Sequence, residues 1–258
     1  MAVLHDRMDP ARADALRITL GLSDQIEAGD VLPPFFHQAY FWDARPAAEL
    51  GADGHPRVGG LIPDLGLPRR MWAGGRLKFH APLRCGTPAE KRSELVSAER
   101  KEGRSGALAL VTLRHEIWQD GALCVTDEQD LIYREPHDPS QPKRTPPIAE
   151  DTAPGAALQF SPTLLFRYSA LTFNGHRIHY DRDYATGAEG YSGLVVHGPL
   201  LAQHLMLAAA STLLDMTSFS FRATAPLMDF ETAELVWNGT AGFIRGPDRR
   251  LCMVAEAA

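Results

Sequence analysis

Between positions 174 and 181 the sequence Asn-Gly-His-Arg-Ile-His-Tyr-Asp gathers Asn174, His176, Arg177, His179 and Asp181 into eight residues. Imidazole titrates near neutral pH, so a histidine in such a cluster can carry a proton, although a lone histidine is more often structural. An amide such as Asn174 can hold a water through its carbonyl oxygen, and before Gly175 it is equally a turn former. Further on, Val195-Val196-His197-Gly198-Pro199 puts a glycine amide at the opening of an apolar helical pattern. The first amides of a helix have no partner within it and can stabilise a developing oxyanion. A third concentration of charge is Arg69, Arg70 and Arg76, around Trp72. Guanidinium groups bind phosphates well, and surface ion pairing is an equally good reading.

These residues need elements to position them. The pattern from His197 to Asp215 predicts a helix with Pro199 in its first turn and Leu201, Leu205, Ala208, Ala209 and Thr212 on one face. A short helix over Leu164 to Leu171 precedes the polar cluster, and another begins at Asp9-Pro10 and runs to about Leu22. Stretches rich in β-formers, Ala107 to Trp118 and Ala122 to Tyr133, flank Gln119-Asp120-Gly121 and predict a hairpin; Asn238-Gly239 marks another. A proline-rich stretch over 136–154 reads as an extended linker between a first part, 1–135, and a second, 155–258. The two parts share a pattern. Phe79-His80-Ala81-Pro82-Leu83 is echoed by Phe221-Arg222 and Ala225-Pro226-Leu227, and Leu123-Cys124-Val125 by Leu251-Cys252-Met253. The offset is 144 at the proline and 128 at the cysteine, which implies a duplicated unit with a longer insertion in the first copy. The class is α+β.

Composition narrows the field. Hydrophobic residues at 45% and charged residues at 22% exclude a disordered chain, and 26 basic against 32 acidic residues exclude a generally basic nucleic-acid binder. The three cysteines, Cys85, Cys124 and Cys252, are too few and scattered for a disulfide framework or a zinc site and fit a reducing cytosol. No apolar run approaches the roughly 18 residues of a membrane span, and no secretory signal is expected from the first residues.

Phe173-Asn-Gly-His-Arg-Ile-His179, followed by Tyr180-Asp181 and Tyr184-Ala185, resembles the hydratase motif of the MaoC-like hotdog family, and Val196-His197-Gly198 resembles that family's second signature, at the start of the hotdog helix. Pro68-Arg-Arg-Met-Trp-Ala-Gly-Gly-Arg76 and Lys101-Glu-Gly-Arg-Ser-Gly106 resemble the non-catalytic N-terminal hotdog of two-domain members. The nearest branch is that of the mesaconyl-CoA (3-methylfumaryl-CoA) hydratases and the mitochondrial type 2 hydroxyacyl-thioester dehydratases. The resemblance implies a double hotdog in which the second half is catalytic and the first shapes the other wall of a cleft. It implies interconversion of a 2-enoyl-CoA thioester and its 3-hydroxyacyl-CoA, with a short branched dicarboxylic acyl group. No metal or cofactor beyond the CoA thioester is implied, and a homodimer or higher oligomer stays open.

The wider family carries a catalytic Asp where this chain has Asn174, and an amide cannot accept a proton. The expected roles are therefore His179 as base, Asn174 as holder of the attacking water and the Gly198 amide as oxyanion donor. Arg69, Arg70, Trp72, Arg76, Arg177 and His197 are the expected substrate-binding groups, with the arginines of the first half on the CoA phosphates. Three rivals stay open: a dehydratase acting on acyl-carrier-protein thioesters, a hotdog thioesterase, and a non-catalytic thioester binder. Residues 199–214 contain no carboxylate, which weighs against the thioesterase.

Overall fold

The computed structural model describes residues 1–258 apart from 104, 105, 137, 139 and 141–144. Ten antiparallel strands form one sheet: β1 (Ala2–Asp6), β2 (Arg69–Phe79), β3 (Ala89–Gly103), β4 (Gly106–Gln119), β5 (Ala122–Arg134), β6 (Ala156–Gln159), β7 (Ser218–Ala223), β8 (Thr232–Asn238), β9 (Ala241–Arg245) and β10 (Leu251–Ala257). Their order, β1-β3-β4-β5-β2-β7-β10-β9-β8-β6, is one five-strand pattern followed by its reverse. The two copies meet edge to edge at β2 and β7. The helices are α1 (Pro10–Thr19), α2 (Pro162–Leu171) and α3 (Gly198–Thr212), an α+β arrangement as expected.

The sequence repeat is a structural one. The Cys124 carbonyl accepts from the N–H groups of His80 (2.8 Å) and Ala81 (3.3 Å), and the Cys252 carbonyl accepts from those of Thr224 (2.9 Å) and Ala225 (3.4 Å). The extra length of the first copy lies in its β3–β4 hairpin, with strands of 15 and 14 residues against 7 and 5 in β8 and β9. The longer hairpin carries a small core of its own around Leu67, Ala109, Val111, Leu131 and Tyr133. The Lys101–Gly106 motif falls on its tip, where Arg104 and Ser105 lie outside the described residues. At the β4–β5 turn Asp120 (φ 49°) and Gly121 (φ 77°) are both left-handed, as a tight hairpin requires.

Junction packing depends on glycine. A Cβ on Gly74 would meet the Phe221 carbonyl oxygen at 2.6 Å, and one on Gly75 would meet the Phe221 ring at 2.9 Å. The Gly-Gly pair thus lets β2 and β7 close into a continuous sheet.

Two helices differ from expectation. The first stops at Thr19 rather than Leu22, because Gly21 turns left-handed (φ 73°) just past its end. The third is buried on more than the one expected face, through Pro199–Gln203, Leu205, Met206 and Ala209, while Ala208 is only half-buried. The reason is that α3 is covered twice, by its own half's sheet and by the first half, where Pro34 O accepts from Gln203 Nε2 (2.9 Å). Each fully buried leucine contributes about 2 kcal/mol.

The first half has no counterpart of α3 among its described residues. Between α1 and β2 it has only short 3-10 turns at Phe36–Ala39 and Ala47–Glu49, and the buried Phe35, Phe36, Tyr40 and Phe41 fill the space. Of the proline-rich stretch, Pro139, Pro142, Lys143 and Arg144 lie outside the described residues. Its later part lies against the second half: Ile148 bridges Arg250, Ala149 is buried, and Arg245 donates to the carbonyls of Asp151 and Ala153. No helix among the described residues is long and apolar enough to cross a membrane.

Candidate active site

Local chemistry shapes the polar segment after α2. Ser161 Oγ caps α2 by accepting from Leu164 N–H (3.2 Å), with Pro162 in the first turn. The helix ends at Leu171, and Phe173 takes a left-handed conformation (φ 52°), which costs about 1 kcal/mol or more for an aromatic residue. Stacking on Trp42 (centroids 5.0 Å apart, planes at 16°) holds it there. Asn174 Oδ1 then accepts from His176 N–H (3.0 Å), a side-chain-closed turn that leads into the single 3-10 turn Arg177–His179.

The first half clamps this loop from the other side. Arg177 N–H donates to Asp53 O (2.9 Å), and Arg177 Nη1 to Ala52 O (3.0 Å). Gly54 (φ 87°) and Gly175 lie backbone to backbone: a Cβ on Gly54 would fall 2.0 Å from the Gly175 carbonyl oxygen. Only glycine fits at that approach.

His179 is buried, and its Nδ1 lies 2.7 Å from Val195 O. A carbonyl only accepts, so the neutral ring carries its proton on Nδ1 and leaves an Nε2 lone pair free. Burial lowers this imidazole to about 4, which keeps it neutral at physiological pH. His197 stacks on it, with ring centroids 3.7 Å apart and planes at 19°. His197 is fully buried and bonded through Nε2 to Ser169 Oγ (2.8 Å). It packs on the His179 ring at the entry to α3. His176 packs edge-on to His179 at 5.4 Å and is lowered to about 2, chiefly by burial.

The Gly198 amide has a distinct position. It opens α3, Pro199 has no N–H, and the N–H groups of Leu200 and Leu201 both turn to His197 O (3.1 Å each). Gly198 therefore carries the available donor of the first turn. A Cβ at Gly198 would meet nothing nearer than Trp72 O at 3.8 Å, so packing does not require a glycine here. Trp72 lies beside it, between Phe35 and Phe221.

The three arginines of the first half do not form one cluster. Arg76 is exposed and held by Glu128 (3.0 Å) and Asp130, and Arg69 is paired with Glu189 (2.7 Å). Arg70 makes no hydrogen bond or ion pair among the described residues. Arg177 is tied to Asp181 (2.7 Å) and lies over the Tyr184 ring, while Asp181 Oδ1 accepts from Tyr184 N–H (3.0 Å). Both fix the loop.

Sequence reasoning missed Asp53 and His55. The His55 ring lies 4.6 Å from that of His176, and burial lowers it well below its ordinary value. Ligand atoms of Asp53, His55 and His176 lie within 4.8 Å of one another, a donor set of the kind that holds a divalent cation. The positive charge of Arg70 acts on all three and opposes a cation there. Also missed was a polar row inside the first half's sheet. Ser93, His115 and Asp127 are cross-strand neighbours on β3, β4 and β5, and His37 meets Asp127 at 3.3 Å. His37, His115 and Asp127, with Lys91, Gln129 and Arg70, line a cavity of about 250 Å³ that reaches Phe173.

Residues 35–229 match the model of the hydroxyacyl-thioester dehydratase type 2 family. The chain is 48% identical over 213 residues to the mesaconyl-C4-CoA hydratase of Chloroflexus aurantiacus, covering 81% of this chain and 75% of that one. Among solved structures it is similar to HtdX of Mycobacterium tuberculosis (TM-score 0.72, 16% identity, 100% of this chain and 99% of that one). It is also similar to a double-hotdog protein of the same organism (TM-score 0.57, 14% identity, 100% and 95%). The chain belongs to the hydroxyacyl-thioester dehydratase type 2 family, carbon–oxygen lyases, and has the double-hotdog fold.

Proposed function

We propose that the protein hydrates a 2-enoyl-CoA thioester, in the direction of or in reverse from the 3-hydroxyacyl-CoA, with a short branched dicarboxylic acyl group of the mesaconyl type. The observation that carries this reading is a neutral base of fixed tautomer, His179, stacked on His197, next to which Gly198 presents a free helix-opening amide. His179 Nε2 takes a proton from water as the water oxygen bonds to the β-carbon. The displaced electron pair moves to the thioester oxygen, where the Gly198 N–H and the positive end of α3 stabilise it. The proton passes to the α-carbon as the carbonyl re-forms. A positioned base contributes about 10²–10⁴ in rate and an oxyanion donor about 10²–10³. Asn174 Oδ1 keeps one lone pair beyond its bond to His176 N–H and can hold the water with it.

Every step uses proton transfer and hydrogen bonding, so the proposed reaction needs no metal or redox cofactor. The identity to the Chloroflexus hydratase favours CoA over an acyl-carrier protein. Three buried thiols free of disulfides accord with action in a reducing cytosol. Incubation with crotonyl-CoA and mesaconyl-C4-CoA tests the reading: loss of the ultraviolet enoyl-thioester band without release of thiol supports hydration. Thiol release would assign a thioesterase, and silence in both assays a binder.

A further inference from the structure

A half-buried guanidinium without a partner is costly unless an anion completes it. Arg70 is such a group. It projects from β2 into the cavity between the first half's sheet and the catalytic loop, and makes no hydrogen bond or ion pair among the described residues. Its neighbours on the strand differ: the Arg69 and Arg76 guanidiniums are closed off by Glu189, Glu128 and Asp130. The carboxylate nearest in effect, Asp53, does not close Arg70 off. Its Oδ1 is bonded to His55 N–H (3.1 Å), and burial raises its carboxyl toward the neutral form.

The charge of Arg70 acts on His55 and His176, which touch at 4.6 Å, and His176 lies 5.4 Å from the His179 base. The cavity that holds Arg70 is bounded by Pro56 and Phe173, the neighbours in sequence of His55 and Asn174, so an anion on Arg70 lies on the side of the reacting centre that an acyl group would occupy. Phosphates at the far end of a CoA thioester would not reach this cavity while the acyl group is at His179. The amide of Asn174 fits as well, because a carboxylate there would repel a second negative charge on the substrate.

We propose that Arg70 binds the free carboxylate of a dicarboxylic acyl thioester and sets the preference for such substrates over neutral enoyl thioesters; this rests on the hydratase reading above. A contact made equally in ground and transition states acts mainly on KM. The preference arises because a neutral acyl group leaves the guanidinium unpaired.

The test compares kcat/KM of wild type and Arg70→Gln on mesaconyl-C4-CoA and crotonyl-CoA. The ratio of the two is expected to fall at least 100-fold, through KM for the dicarboxylic substrate, and Arg70→Lys should recover part of it. A structural role would lower both substrates together and leave the ratio unchanged, which would overturn the proposal while leaving the hydratase reading intact. Wild type that hydrates crotonyl-CoA but not mesaconyl-C4-CoA would also overturn it alone, and wild type that hydrates neither would remove both. Calorimetric binding of succinyl-CoA and butyryl-CoA to wild type does not depend on a variant's folding. Succinyl-CoA is expected to bind at least tenfold more tightly, and equal affinities would overturn the proposal.

Discussion

The two halves of this protein are built on one strand pattern and have diverged in what they enclose. The second half wraps its sheet around α3 and places a buried histidine and a helix-opening amide at one end. In the first half, aromatic residues occupy the helix's place, and a row of polar side chains, Ser93, His115 and Asp127, faces inward. Each difference follows from the other. Without a helix to pack against, the inner face of β3–β5 has no apolar partner over its whole length, so a polar cavity forms where the second half has core. Left-handed aromatic residues mark the boundary on both sides: Phe35 and Phe41 in the first half and Phe173 in the second. Such strain persists where surrounding contacts fix it and clusters at functional sites. Under the proposed function, chemistry falls to the second half and selection to the first.

Removing the base should have the largest effect. His179→Ala is expected to lower turnover at least about 100-fold with the circular dichroism spectrum retained. The contrasting change in the first half is His37→Ala. Burial works to raise the Asp127 carboxyl, but hydrogen bonding, first to His37 and also to Gln129, holds it below its usual value. Loss of His37 removes one partner of that buried carboxylate, leaving Gln38 and Gln129 on Oδ2, and is expected to cost about 2 kcal/mol in chemical denaturation. Turnover should change far less than in His179→Ala. If instead His37→Ala abolished turnover at unchanged stability, the division between the halves would fail.

The clamp between the halves comes next. Gly54→Ala drives a Cβ into the Gly175 carbonyl and is expected to shift the catalytic loop, lowering kcat about tenfold or more and the melting temperature by several degrees. Gly239→Ala is the control at a left-handed glycine (φ 59°) with nothing within 4 Å, where only the backbone penalty of about 1 kcal/mol applies.

Acid should expose the buried histidines. His115, His179 and His204 are lowered to about 4, His176 to about 2, and His55 and His197 well below 6.5. Below pH 6.5 the unfolded chain binds protons that the folded chain does not, so stability should fall steadily as pH drops from about 6.5 toward 4. Denaturation midpoints across that range check this; a flat profile would mean the rings are protonated in the folded protein.

Legibility followed sequence distance. Asn174 to His179 and Val196 to Gly198 are contiguous motifs, and their elements carry local signals: Ser161-Pro162 before α2, Pro199 in α3, Asp120-Gly121 at the hairpin. Asp53 and His55 were not legible, because Gly51-Ala-Asp-Gly-His55 reads only as a turn and its partner Gly175 lies 121 residues away. The Arg69, Arg70 and Arg76 group was legible as charge but not as geometry. Adjacent strand residues face opposite ways, and the partners Glu189, Glu128 and Asp130 come from other elements. The inward polar row was available in principle: β4 alternates strictly between half-buried and buried from Gly106 to Gln119, and His115 falls on the buried phase.

Mass spectrometry of wild type incubated with mesaconyl-C4-CoA tests the central claim most directly. Hydration at His179 requires a product heavier by one water and still joined to CoA. Unchanged mesaconyl-C4-CoA after exhaustive incubation, or free CoA with the unhydrated acid, would contradict it.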